Sequence, residues 1–353
     1  MDLRFGAHAV AAAVAAAVVM PVSVTAAVPR SGCGRILFTS YSNGRSGIQT
    51  ITARGSGRST LVSFRKLAVT QAEWSPDARR IAFVRDGRTS DGSGISVMRA
   101  DGSGRRRLTG RRARHHSITW APDGKRLAFV RSPLEGEEHK IMILRLRDGH
   151  RRFLAGGTDP VWSPDGSTVA FSRRVADTND LATIPAGGGA ITTVTTSPLD
   201  DDEEAVWSPD GRWLAFARYP RAQDGDDGPF ADIWKAAADG SGEVRLTHDQ
   251  NDLSGYNLPR WSPDGSRIAY SYGHDSGGSV FVMNADGSDQ TRVSGRAAVD
   301  QGPEWAPSST RLVYWSAGDL VIVRLSDGRR RRLTDSVWAH AYSERWSPCT
   351  AAA

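Results

Sequence analysis

The chain of 353 residues carries a formal net charge of +6, and only four of its 45 basic residues (Lys66, Lys125, Lys140, Lys235) are lysine, so its positive charge is almost entirely arginine. It has no G-x-S-x-G elbow, no H-E-x-x-H pair and no phosphate-binding P-loop, which argues against the enzyme classes built on those motifs. An exported chain with none of the usual nucleic-acid motifs is also a poor candidate for binding nucleic acid.

Export is read from the first segment. Arg4 gives a basic start, an Ala/Val run follows to Met20, and Val24-Thr25-Ala26 offers small residues for cleavage, so residues 1–26 are expected to be a signal peptide. A retained membrane anchor and a lipoprotein modified at Cys33 (after Ser31-Gly32) are the alternatives. Residues 27–34 form a short lead-in, 35–349 the folded domain and 350–353 a tail.

From Trp74 onward one phrase recurs. Trp74 opens WSPDARRIAF, Trp120 WAPDGKRLAF, Trp162 WSPDGSTVAF, Trp207 WSPDGRWLAF and Trp261 WSPDGSRIAY; Trp305 opens a degraded WAPSSTRLVY and Trp346 a truncated WSPC. The intervals run from 41 to 54 residues, the period of a β-propeller blade. Ser-Pro-Asp-Gly suits a type I turn followed by a left-handed residue, a common tight hairpin. The run after it, such as Ile81-Ala82-Phe83-Val84, is apolar on both faces, as a strand sandwiched between neighbouring sheets requires. A small central Ala would let sheets approach while Trp and Phe fill the wedge. About 20 residues later come segments such as ISVMRADGSGRRRLT from Ile95 and VFVMNADGSDQTRVS from Val280, each an Asp-Gly hairpin. Each repeat therefore contains four antiparallel strands, and the fold class is an all-β propeller.

These motifs resemble the TolB-type, WD-like β-propeller repeat, over nearly all of residues 35–349. The resemblance is to the propeller alone, not to the α/β domain that precedes it in TolB. It implies a face that engages another envelope protein or a peptide segment.

The repeat count gives seven blades, against six in TolB, and six remains the alternative. Arg35-Ile36-Leu37-Phe38 reads as a second strand with no motif before it, while Trp346-Ser347-Pro348-Cys349 is a first strand with nothing after it. The chain ends are thus expected to share one blade and close the ring, removing the exposed edges of an open array. Overlaying the two halves on the full motif puts Cys33 beside Cys349, and in an exported chain a disulfide between them is expected.

Arginine clusters at Arg105–Arg107, Arg111-Arg112, Arg151-Arg152 and Arg329–Arg332 fall at or before each fourth strand. They read either as edge protection or as a rim for acidic glycans or lipid headgroups. Function is sought instead in the variable connections into each first strand. There His116, Asp159, the run Asp200, Asp201, Asp202 and Glu204, then Tyr256, Asn257 and Gln301, and finally Trp338, His340 and Tyr342 are the binding-face candidates. The carboxylates could hold calcium or another divalent ion. The expectation is a monomeric, non-catalytic protein-binding scaffold, secreted or held in the cell envelope. The alternatives are a channel-mouth lyase or hydrolase on acidic sugars and a glycan-binding module.

Overall fold

The computed structural model describes residues 34–42, 44–65, 67–87, 93–110, 113–134, 138–220, 231–248, 255–274, 277–295, 300–335 and 345–347. The signal segment, both cysteines, Trp338, His340 and Tyr342 lie outside the described residues.

Seven four-stranded antiparallel sheets form the blades. Blade one consists of Leu67–Trp74, Arg80–Gly87, Ser93–Arg99 and Arg106–Arg107. Blades two to six open with Arg114–Trp120, Thr158–Trp162, Asp200–Trp207, Gly255–Trp261 and Asp300–Trp305. Blade seven is composite: Arg345–Trp346 pairs with Arg35–Ser42, which continues into Arg45–Thr52 and Ser59–Arg65. The latch is short, with Ile36 opposite Trp346 and Leu37 opposite Arg345. The Ser347 amide then donates to the Arg35 carbonyl at 2.8 Å, the place the turn occupies in other blades. The first strands of successive blades touch one another all round, including blade seven to blade one, so they line the central axis of a closed ring.

The turn chemistry works as the motif dictates. Ser163, Ser208 and Ser262 donate to the aspartate two residues on at 2.5–2.6 Å, and the turn closes through the fourth residue's amide. That residue is left-handed: Gly124, Gly166, Gly211 and Gly265 take φ of 62–73°, while Ala78 and Ser309 hold 53° and 55° despite their Cβ.

Among the described residues, no apolar cluster fills the axis. The apolar clusters lie between neighbouring blades. Ala128, Val130 and Ile141 of blade two meet Trp162, Val169 and Phe171 of blade three, and the same scheme sets Ala170 against Phe216 and Ala215 against Tyr270. The small Ala of one blade receives the aromatic of the next. Three tryptophans also bond across the seam: the indole N–H groups of Trp120, Trp207 and Trp305 donate to the carbonyls of Glu73, Val161 and Arg260.

The fourth strands are only two or three residues long in five blades. The following hydroxyl compensates. Thr109, Thr195, Thr247, Ser294 and Thr334 each accept the amide of a third-strand residue at 2.9–3.0 Å, so the Thr of the RLT phrase supplies the bond that a longer strand would have made. The basic clusters gain a role that neither sequence reading gave them. Arg106, Arg152, Lys235 and Arg331 reach the carbonyls of Leu146, Ala186, Ala285 and Ala53 in the next blade, each just past a third strand. Three of these four inter-blade staples come from the arginine clusters and Lys235 from a third strand, while Arg151 also reaches back to the Leu108 carbonyl of blade one.

Candidate functional site

The first strands carry a β-bulge in blades one to six; in blades two to six it falls at the same place, just before the motif tryptophan, and in blade one it lies between Val69 and Gln71. The third residue before the motif tryptophan is left-handed in five of them: Ser117, Asp159, Glu204, Leu258 and Gly302, with φ of 49–66°. For the four non-glycine residues this conformation costs of order 1–2 kcal/mol each. A bulge re-aims side chains. At three of these positions the side chain reaches the next blade's first strand. The Gln71 amide bonds both the N–H and the C=O of Ile118, Ser117 Oγ donates to Asp159 at 3.0 Å, and Glu204 accepts the Leu258 amide at 2.7 Å.

This geometry revises the expected loops. His115-His116, Asp200 to Glu204 and Asp300-Gln301 are not connections; they are the leading residues of first strands. Asp200 lies opposite Pro220 and Asp201 opposite Tyr219, because the bulge absorbs the extra residue and lets pairing continue beyond it. Within the run, the neighbours diverge. Asp202 is fully buried, and Arg218 grips both its oxygens at 2.6 and 2.8 Å, which makes it a structural anchor rather than part of an accessible face. Asp200 accepts the Ser197 hydroxyl, and Asp201 accepts the Asn179 amide.

Asp159, Asp201, Glu203 and Glu204 form an acidic mouth across blades three and four. Burial pushes the Asp159 carboxyl up, against hydrogen bonds from Ser117 and Thr158. Burial raises Glu203 too, and the charges of Asp159, Asp201 and Asp202 add to it. Burial lifts Glu204 to about 7, although the Leu258 amide and the Arg260 charge favour ionisation. These side chains are half-buried, enclosed by protein on several sides yet reached by water. Burial also raises the Tyr219 hydroxyl, reinforced by Glu204 and Glu203.

The sign of the pH dependence follows. Glu204 is an acid whose folded pKa lies above the usual 4.5, so between 4.5 and about 7 the folded state binds more protons than the unfolded one. Stability is therefore expected to fall as pH rises through that window and to level off above it, by about 3 kcal/mol at most. Glu204→Gln keeps the acceptor for Leu258 and should flatten this dependence, seen as a smaller change in Tm between pH 5 and pH 8.

A second network runs into the mouth from blade two. His139 Nδ1 lies 2.7 Å from Ser132 Oγ, Ser132 Oγ lies 3.1 Å from His116 Nε2, and His116 Nδ1 lies 3.0 Å from Ser117 Oγ, which donates to Asp159. Because Ser117 donates its one hydroxyl proton to Asp159, it must accept from His116 Nδ1–H, so Nε2 accepts from Ser132 and Ser132 accepts from His139. Burial, with His139 nearby, holds His116 down at about 4, so the imidazole is neutral at physiological pH.

Of the sequence candidates, His116, Asp159, Asp201 and Glu204 meet in this region. Tyr256 is half-buried against Tyr270 and Tyr272, with ring centroids 5.7 and 4.7 Å away. Asn257 and Gln301 begin their bulges farther round the ring, and Gln301 is exposed. Glu203, Ser117, His139, Asn179 and Tyr219 were not singled out. Counting back three and four residues from each tryptophan would have found the first two. Among the described residues, no three His, Cys, Asp or Glu side chains are placed to hold one metal ion.

The family model of the TolB beta propeller domain matches residues 80–256, half of the chain. The chain belongs to that family. A Tol-Pal system protein TolB of Geobacter sulfurreducens is 33% identical over 75 residues, which is 21% of this chain and 16% of that relative, so the match spans about a sixth of the curated protein. Among solved structures, TolB from Acinetobacter baumannii aligns with a TM-score of 0.55 at 16% identity, covering 91% of this chain and 88% of that one. An oligogalacturonate lyase in complex with manganese aligns with a TM-score of 0.65 at 18% identity, covering 87% and 89%. Likeness at such identities carries the TolB-type propeller fold and nothing finer. Among the described residues no helix is long and apolar enough to cross a membrane.

Proposed function

We propose that this TolB-type propeller is an exported, non-catalytic binding module of the cell envelope. Its acidic mouth receives a segment of another envelope protein. The observation that carries this reading is the grouping of Asp159, Asp201, Glu203 and Glu204 on adjacent first strands, with three of the four carboxyl groups pushed upward by their enclosure. A Lys or Arg side chain, or a free amino terminus, entering the mouth would relieve that repulsion and draw the protons off. Family membership and the Tol-Pal assignment of one relative support a protein partner. A channel-mouth enzyme for acidic sugars is less well served, because a uronate would meet like charge where it has to bind.

The test is affinity capture from envelope extract with the mature chain, followed by direct titration of the enriched protein. The triple variant Asp159→Asn, Asp201→Asn, Glu203→Gln should weaken that partner at least about tenfold, since charge-assisted hydrogen bonds contribute roughly 1.5–3 kcal/mol each. A partner that binds wild type and variant equally would place the interface elsewhere.

A further inference from the structure

A cleft of about 540 Å3 opens between blades one and two on the side of the ring that carries the Ser-Pro-Asp-Gly turns. Six cations line it: Arg80, Arg99, Arg106, Lys125, Arg145 and Arg147. No carboxylate does. Asp148, just outside, takes Arg145 at 2.7 Å and approaches Arg147 at 3.8 Å, so it offsets one charge.

Edge protection does not account for this cluster. It calls for charges on outer strands, and among the six only Arg106 lies on one. The others come from a second strand, the end of a third strand, a turn after a first strand, and the end of the next blade's third strand and its turn. Nor are such clefts basic by construction. A cleft between blades five and six, about 410 Å3 and set farther out on the fourth strand, is lined by only two cations, Arg292 and Arg330.

Two of the guanidinium groups are already positioned. Arg80 lies over the Trp120 ring at 5.3 Å and donates to the Gly124 carbonyl at 2.7 Å, and Arg106 donates to Leu146 at 2.8 Å. Each keeps further N–H donors for a ligand, and holding a fork in place beforehand lowers the entropy lost on binding. Met98 and Leu146 supply an apolar floor.

We propose that this cleft binds a ligand with clustered phosphate groups. Guanidinium forks match phosphate oxygens bidentately. Several cations within one compact cleft suit phosphates carried close together better than carboxylates spaced along a sugar chain. A soluble oligophosphate and an anionic lipid headgroup present the same chemistry, and the site is separate from the acidic mouth.

The experiment titrates tripolyphosphate into the mature chain by calorimetry at low and moderate salt, beside co-sedimentation with phosphatidylglycerol and phosphatidylcholine vesicles. Wild type should bind tripolyphosphate or phosphatidylglycerol vesicles, more weakly at higher salt. Lys125→Ala with Arg147→Ala should reduce that binding at least about tenfold. Neither side chain is a staple, so the melting temperature should hold. Arg292→Ala with Arg330→Ala should leave affinity unchanged. Binding to tripolyphosphate identifies a soluble ligand's chemistry; binding confined to phosphatidylglycerol vesicles identifies a headgroup. Absence of both, or binding that survives the Lys125/Arg147 change, overturns the proposal.

Discussion

Trp162→Ala is expected to destabilise the ring by about 3–5 kcal/mol, the range for truncating a buried aromatic. The side chain is 0% exposed. It packs with Ala128, Val130 and Phe171 where blades two and three meet, and the Arg126 guanidinium lies over its ring at 4.7 Å. The flanking sheets are tied by their own ladders and cannot collapse into the space, so the cavity term adds to the lost transfer energy. Trp207, the same motif position one blade on, is half-buried and should lose less on the same change. Urea unfolding of the two variants beside wild type measures the difference. Equal losses would mean that motif position, not burial, sets the cost.

Asp202→Ala is the second large effect, at about 3–5 kcal/mol, because it leaves the Arg218 guanidinium buried without its main counter-ion. Arg218 has a side chain only 10% exposed, and it also bonds Glu243 at 2.8 Å and stacks over Trp234 at 4.5 Å. Glu243 retains part of the compensation, which places the expectation near the lower end. The double variant Asp202→Leu, Arg218→Leu should recover much of the loss, since well-packed apolar pairs replace buried ion pairs at little cost. A double-mutant cycle by urea unfolding reads the coupling. If the double variant loses the sum of the losses of Asp202→Leu and Arg218→Leu alone, the two side chains are uncoupled and their charge pairing is not what stabilises the site.

The blades were legible because their instructions are local. Ser-Pro-Asp-Gly, the apolar run behind it and the Asp-Gly hairpin each act within a few residues, and the orphaned half-motifs at Arg35 and Trp346 announced the composite blade. The mouth was only half legible. Polar residues leading into a tryptophan read as a loop, yet a left-handed residue three positions before it keeps Asp200 to Glu204 in register with the second strand. The staples were hidden for a different reason. Arg152 and Ala186 are 34 residues apart and Lys235 and Ala285 are 50 apart, so their pairing exists only once blades stand side by side. His139 lies 23 residues from His116 with no shared motif, and they meet only in the folded ring, through Ser132 and an edge-to-face contact of their imidazoles at 5.8 Å. Composition could count the arginines but could not gather five of them with Lys125 round one cleft.

The composite blade has a directional consequence. Arg35 and Ser347 meet where other blades make their first turn, so the chain enters and leaves the ring at one point, on the side that holds the arginine cleft. The acidic first-strand leads open on the opposite side. Anything that holds the chain ahead of Gly34 therefore orients the molecule like a cup on a stem: the cationic side faces the point of attachment and the carboxylates face outward. A fluorophore pair, one dye at Gly34 and one at Gln301, would register that polarity as a fixed separation across the thickness of the ring.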